Sequence, residues 1–268
     1  MTVPFDLLGS VAVITGAGSG IGRATAISFA RRGARLAVSD IDAARADETA
    51  SLARDAGADV IAVPVDVAST DDFERLRDRC LDEFGRVDVV MNNVGVLAMG
   101  PPEKIPVEAW QRTLDLNLIS VARSNLVFLP LLLAEGRGHI VNTASASGLL
   151  AYGYDRLPYV ASKHALVGVS EALALYLGPH GIGVTCVCPS GVATNIVEQI
   201  SVHGSSTSMP RAPDHPIVEA DVVGELVADA VRDGTFLVLT VPEIADELRD
   251  RADDIEGYLR RLLSREAG

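Results

Sequence analysis

In the run Tyr159-Val160-Ala161-Ser162-Lys163 a phenol and an ammonium stand four residues apart. On a helix that spacing puts both on one face, one turn from each other. Helical side chains lean toward the N-terminus, which aims the ammonium back at the phenol. A phenol titrates near pH 10 and is a poor base at neutral pH. A cation about 4 Å away is worth roughly 4 kcal/mol at an effective dielectric of 20, on the order of three pKa units. The pair could therefore give or take a proton near pH 7. Taken alone the spacing is weak evidence, because Tyr and Lys one turn apart are more often a half-buried ring beside a solvated stem.

Other polar groups fall where a ligand would need them. The apolar run Val11–Thr15 reads as a buried parallel strand. It leads straight into Gly16-Ala17-Gly18-Ser19-Gly20-Ile21-Gly22, and a helical pattern follows at 23–32 until Gly33 stops it. Strand, glycine turn and helix together set a pyrophosphate on a helix N-terminus, where free N–H groups and the dipole favour an anion. Glycine is needed there because a Cβ holds the backbone off the phosphates. A plain tight turn is the other reading. The second strand, 35–39, ends at Asp40, 24 positions after Gly16, where a dinucleotide fold places an acid on the adenosine ribose. A carboxylate there accepts from the ribose hydroxyls and repels a 2′-phosphate. Neither Ser19 nor Ile41 offers a compensating cation, which favours NAD over NADP. Asp42 reads as the N-cap of the next helix.

The alternation continues with a strand at 60–63, a helix at 69–84 and a strand at 87–91. Asp66 and Val67 follow the third strand, and Asn92-Asn93-Val94-Gly95 the fourth, at the carboxyl ends where open parallel sheets bind ligands. Ordinary turn chemistry would also explain them. A helical pattern at 108–135 is apolar on several faces and carries Asn117 among leucines, a costly amide unless it finds partners. A satisfied core asparagine is equally compatible with it. A strand at 139–143 runs into Ala144-Ser145-Ala146-Ser147-Gly148, the Tyr159 helix spans 158–178, and a sixth strand at 183–188 ends in Pro189-Ser190-Gly191-Val192-Ala193-Thr194. Residues 196–215 lose all periodicity, as a lid or substrate loop does. A helix at 219–232, a strand at 236–240 and one charged terminal helix at 243–264 complete the chain. The order predicts an α/β fold, a Rossmann-type doubly wound parallel sheet in one domain over 1–268, with a substrate loop at about 192–216 and an added C-terminal helix at about 243–265.

Composition sets bounds. With 48% hydrophobic residues the chain can bury a substantial core. A formal net charge of −13 and a pI of about 4.8 argue against nucleic acid or an anionic membrane as partner. The most apolar run, 126–134, is too short to span a bilayer and contains Pro130. Residues 1–10 include Asp6 and lack a basic start, so no leader is expected. Cys80, Cys186 and Cys188 form no disulfide pattern, and Cys186-x-Cys188 has no second ligand pair nearby. No metal site is expected, and the compartment expected is a reducing cytoplasm.

Together these pieces resemble the short-chain dehydrogenase/reductase family in its single-domain branch. The family motif T-G-x-x-x-G-x-G is matched by Thr15, Gly16, Gly20 and Gly22. Asp66, Asn92, Asn93 and Gly95 match its adenine-pocket and strand-supporting motifs, with Val94 where alanine is usual. The resemblance implies an active site of Asn117, Ser145, Tyr159 and Lys163. Ser145 is preferred to Ser147 because the family serine lies three residues before the glycine matched by Gly148. Tyr159 would be the general acid/base and Lys163 would lower its pKa and bind the nicotinamide ribose. Ser145 would stabilise the substrate oxygen, and Asn117 would hold a relay water. Cofactor contacts would come from Gly16, Ser19, Gly20, Ile21 and Gly22, from Asp40, Asp66 and Val67, from Asn93 and Gly95, from Tyr159 and Lys163, and from Pro189 and Thr194.

The resemblance implies a small-molecule partner, a secondary alcohol or its ketone, and a homo-oligomer, with a tetramer favoured over a dimer. The expected pocket wall is Val94, Val96, Leu97, Ala146, Leu149 and Leu150, with Tyr152 and Tyr154. It offers no Arg or Lys for a charged substrate, which points to a neutral, fairly hydrophobic alcohol. The alternative is a non-catalytic nucleotide-sensing protein on the same fold, though such proteins typically lose the Tyr or the Lys. Three features depart from the family: one extra residue between Ser145 and Tyr159, Pro189-Ser190 where Pro-Gly is usual, and the charged C-terminus.

Overall fold

Short aliphatic runs and amphipathic helices alternate along the chain, which the computed structural model describes over residues 3–204 and 215–266. The first half runs β1 (Val11–Thr15), α1 (Gly20–Arg31), β2 (Arg35–Asp40), α2 (Ala43–Asp55), β3 (Val60–Pro64), α3 (Thr70–Phe84), β4 (Val89–Asn92), β5 (Leu97–Met99), α4 (Val107–Leu114) and α5 (Ser120–Glu135). The second half runs β6 (Gly138–Thr143), α6 (Leu157–Leu177), β7 (Ile182–Cys188), β8 (Val192–Ala193), β9 (Ile200–Val202), β10 (Val218–Glu219), α7 (Ala220–Asp233), β11 (Leu237–Leu239), α8 (Glu243–Asp253) and α9 (Ile255–Glu266). Seven strands pair in parallel in the order β11-β7-β6-β4-β1-β2-β3. The order reverses between β1 and β4, the switch point outside which doubly wound sheets bind ligands.

Both faces of the sheet are covered, so the strands alternate between two apolar clusters. From β1, Ala12 and Ile14 pack with Phe29, Leu36, Val227 and Val231, while Val11 and Val13 pack with Phe73, Leu76, Phe128 and Leu132. This is the period of two expected of a strand buried on both sides. Helix starts follow local chemistry. The Asp42 carboxylate accepts from the Ala44 and Arg45 amides, and Ser69 Oγ accepts from Asp72 N at 3.2 Å.

The structure departs from the sequence expectation in three places. The helix expected at 108–135 is α4 and α5 joined by a π turn, Asp115–Ile119. Pro130 does not stop it, and the 29-residue run Val107–Glu135 is long and apolar enough, by length and composition, to cross a bilayer. The short apolar run at 126–134 is thus part of a longer apolar helix. Val127, Phe128 and Leu132 nevertheless lie against the sheet, while Ile119 and Leu126 face outward.

The terminal helix is two helices, because Asp254 breaks it. Its Oδ1 accepts from Gly257 N at 2.9 Å, so a side chain replaces the helical acceptor. The expected loop at 196–215 is partly strand. β9 pairs with β5 (Ile200 with Leu97) and β10 with β8 (Val218 with Val192); residues 205–214 lie outside the described residues.

At the end of the sheet away from the crevice, His139 is fully buried on β6. Thr185 Oγ1 donates to Thr235 O at 2.8 Å, so the 2.8 Å contact between His139 Nε2 and Thr185 Oγ1 requires a proton on Nε2. Nδ1 has no hydrogen-bond partner among the described residues. Burial pushes the imidazole pKa down to about 3. Below the ordinary value of 6.5 the unfolded chain takes up a proton that the folded chain refuses. This contribution to stability is therefore full above pH 6.5 and falls as the pH drops toward 3, by about 1.4 kcal/mol per unit. In urea titrations the stability advantage of the native protein over His139→Gln should shrink by about 2 kcal/mol between pH 7 and pH 5. A pH-independent difference would show that His139 does not titrate this way.

Candidate active site

A cleft of about 1020 Å³ opens at the C-terminal ends of β1, β4 and β6. The expected residues Gly16, Ser19, Gly20, Ile21, Asp40, Asp66, Val67, Asn93, Gly95, Ser145, Tyr159, Lys163, Pro189 and Thr194 all line it. Gly22 and Asn117 do not; they stand behind the lining.

The glycine turn is shaped by close approach. A Cβ at Gly22 would stand 2.3 Å from Gly16 O, and Gly16 and Gly20 have φ of +60° and +52°. Ser19 precedes α1 without making a side-chain cap. Among the described residues, the first-turn N–H groups of α1 thus have no side-chain acceptor, which suits an anionic ligand. The carboxylate of Asp40 is already oriented, with Oδ2 accepting from Gly18 N at 2.9 Å and Oδ1 from Asp42 N at 3.0 Å. Asn93 ties the turn to the sheet: Nδ2 donates to Gly16 O at 3.0 Å, and Oδ1 accepts from Thr143 Oγ1 at 3.1 Å. Asn92 Nδ2 donates to Asn142 Oδ1 at 2.9 Å, joining β4 to β6.

The π turn places Asn117 inside. Its Oδ1 accepts from Val96 N at 2.8 Å, and its Nδ2 donates to Val96 O at 2.9 Å and to Ser162 Oγ at 3.0 Å. Ser162 Oγ in turn donates to Tyr159 O at 2.7 Å. Asn117 thereby pins the chain after β4 to α6, and such wide turns recur at functional sites. Across Gly95, a Cβ would stand 3.4 Å from Lys163 Nζ and 3.9 Å from Asn117 Oδ1.

Residues 10–203 match the short chain dehydrogenase family. The chain belongs to that family. It is 36% identical to a 1-deoxy-11-beta-hydroxypentalenate dehydrogenase of Streptomyces exfoliatus over 251 residues, 91% of this chain and 87% of the relative. It is 35% identical to a cyclohexanol dehydrogenase of an Acinetobacter species over 238 residues, 88% of this chain and 93% of that enzyme. Among solved structures, a short chain dehydrogenase/reductase from Burkholderia phymatum in complex with NAD superposes with a TM-score of 0.85 at 35% identity, covering 94% of this chain and 96% of the other.

Two features of this short chain dehydrogenase depart from the sequence reading. The first is electrostatic. Lys163 is only 2% exposed and donates to Thr143 O at 2.7 Å, and burial lowers its pKa to about 8. Its Nζ stands 5.7 Å from the centroid of the Tyr159 ring, over the face rather than at the 4 Å contact assumed from spacing. Burial raises the Tyr159 pKa above the ordinary phenol value. The nearby Ser145 hydroxyl and the charge of Arg156 oppose that shift without overcoming it. Arg156, missed in the sequence, is held at the start of α6 by the buried Asp155, with Nε donating to Oδ1 at 2.8 Å.

The second concerns the pocket wall. Val94 and Val96 line the cleft as expected. Ala146 and Leu150 instead pack into a core with Val241, Ile244 and Tyr258, and Tyr152 stands edge-on to His215 at 5.8 Å. The C-terminal helices have claimed residues that their proximity to Ser145 assigned to the substrate. Arg112 lines the cleft, so the wall is not free of cations.

In the cofactor-free protein, the phenolate absorbance difference between the native chain and Tyr159→Phe should emerge only above pH 10, as the raised pKa requires. Appearance of that difference near pH 7 would show that Lys163 governs the phenol without help from a ligand.

Proposed function

We propose that this short chain dehydrogenase interconverts a neutral, fairly hydrophobic secondary alcohol and its ketone with NAD as coenzyme. The observation that carries this reading is the convergence of the Ser145 hydroxyl, the Tyr159 phenol and, one turn further along α6, the buried Lys163 on the lining of one cleft. The apolar side chains of Val94, Val96, Val192 and Ile196 around it support an apolar substrate body. The name of the cyclohexanol relative supports a carbinol substrate.

The residues fit the coenzyme. The uncapped start of α1 suits a pyrophosphate, and Asp40 offers a free lone pair on each oxygen to ribose hydroxyls. Asp66, Val67, Asn93 and Gly95 would bound the adenosine end and Pro189 and Thr194 the nicotinamide end, and all six line the cleft. When bound, NAD supplies the hydride acceptor. Tyr159 takes the carbinol proton in oxidation and returns it in reduction. Ser145 donates to the substrate oxygen as charge develops there. Lys163 spends one N–H on Thr143 O, leaving two for ribose hydroxyls, and its charge favours the phenolate. Asn117 keeps one lone pair on Oδ1 after accepting from Val96 N, enough to hold a water beside Lys163 as a proton relay.

One domain carries both coenzyme and substrate in this reading, and the three free, buried cysteines accord with a reducing cytoplasm. The outward Ile119 and Leu126 of the long helix, with Leu175 and Tyr176 of α6, support a homo-oligomer. We expect a tetramer, so sedimentation equilibrium should return four times the 28.2 kDa chain mass; a monomer would overturn the assignment.

The decisive assay is NADH formation across a panel of neutral secondary alcohols, with NADP and Tyr159→Phe in parallel. Tyr159→Phe should lose at least about a hundredfold in turnover and keep its NAD affinity. Retained turnover in that variant would remove Tyr159 from the chemistry. NAD binding without turnover of any alcohol or ketone would favour the sensing alternative.

A further inference from the structure

We propose that Glu198 is a coenzyme-selectivity residue that withholds Arg45 from the 2′-phosphate of NADP. The inference rests on the NAD reading above and adds a second means of selection to the carboxylate of Asp40.

Arg45 is rooted beside Asp40. A Cβ built on Gly18 would stand 2.7 Å from Asp40 Oδ2 and 2.8 Å from Arg45 Cβ, so the two side chains flank one point of the glycine turn. Arg45 lies in the first turn of α2, three residues after its cap Asp42. A guanidinium in that place has the fork geometry that binds phosphate oxygens in pairs, and its charge would offset the repulsion between Asp40 and a 2′-phosphate. This cation comes from α2, not from the positions of Ser19 and Ile41 beside the motif.

Arg45 is occupied, however, from the opposite wall. Its Nη2 lies 2.8 Å from Glu198 Oε2, and its Nε 3.5 Å from Asp42 Oδ2. Glu198 is 153 residues further along the chain, in the short turn Asn195–Gln199 between Thr194 and β9. Asn195 Nδ2 donates to its other oxygen, Oε1, at 2.7 Å, so the carboxylate is aimed by its own turn. Asn195, Ile196 and Gln199 line the same cleft as Asp40 and Ile41, so this ion pair joins the adenosine wall to the substrate wall. The neighbouring Arg23 is bound locally: Nη2 to Gly18 O at 2.6 Å, Nε to Thr49 Oγ1 at 3.0 Å, and Nη2 to Glu48 at 2.7 Å. Arg45 is thus the cation of this wall whose direction depends on a residue from across the cleft.

Both partners are well exposed, at 38% and 48%, so the pair is weak and its removal should not disturb the fold. Its effect is to set where one guanidinium points.

Isothermal titration of NAD and NADP into the native protein, Glu198→Ala and the double variant Arg45→Gln/Glu198→Ala tests this. In Glu198→Ala, NADP should bind about fivefold tighter while NAD changes by less than about twofold, the scale of one surface ion pair. The gain should vanish in the double variant. Unchanged NADP affinity in Glu198→Ala, or a gain that survives loss of Arg45, overturns the proposal. Tighter binding of NADP than NAD by the native protein would instead overturn the NAD reading itself.

Discussion

The ammonium of Lys163 is charged, almost wholly removed from water, and provided with one carbonyl. Desolvating an ion this size costs several kcal/mol even after relaxation, and a single hydrogen bond to Thr143 O offsets only part of that. The surroundings of the ammonium are correspondingly fixed. Thr143 is tied through its hydroxyl to Asn93, and Asn93 through its amide to Gly16 O. A chain of three hydrogen bonds thus runs from the lysine at the end of β6 to the glycine turn at the end of β1. The two walls of the cleft are held at a set separation by groups that are themselves part of its lining. The site is therefore rigid on the side of the sheet before any ligand enters.

What a sequence makes legible here depends on how far apart the interacting groups lie. β1 is readable to the residue because burial on both faces makes it an unbroken aliphatic run. The caps Asp42 and Ser69 are readable because capping acts within three residues. The ladders β5–β9 and β8–β10 are only two or three residues long and join segments far apart, so nothing local marks them. The π turn at 115–119 is hidden because leucines on either side satisfy a helical pattern whether or not one turn is wide.

At the site itself, motif spacing located Ser145, Tyr159 and Lys163 but not their electrostatics. The phenol is governed by burial, Ser145 and Arg156, and the direction of its shift follows from the depth of the cleft, which spacing does not encode. Leu150 was assigned to the pocket by its closeness to Ser145, yet a helix nearly a hundred residues later covers it. The Arg45–Glu198 pair was invisible for the same reason.

The wide turn around Asn117 also sets the phase of everything after it. Each helical residue rotates the chain by about 100°, so the extra residue in Asp115–Ile119 offsets the angular register of α5 against that of α4. Without that offset, the stripe formed by Val127, Phe128 and Leu132 would leave the sheet, and Leu126 would turn toward it. Asn117 can face the lysine, and α5 can face the core, only because the helix slips by one residue between them. A one-residue deletion there would regularise the helix and leave α4 and α5 in phase, at the cost of the wide turn that carries Asn117 inward. The residues on either side are thus phased for a helix that carries one residue more than regular geometry allows.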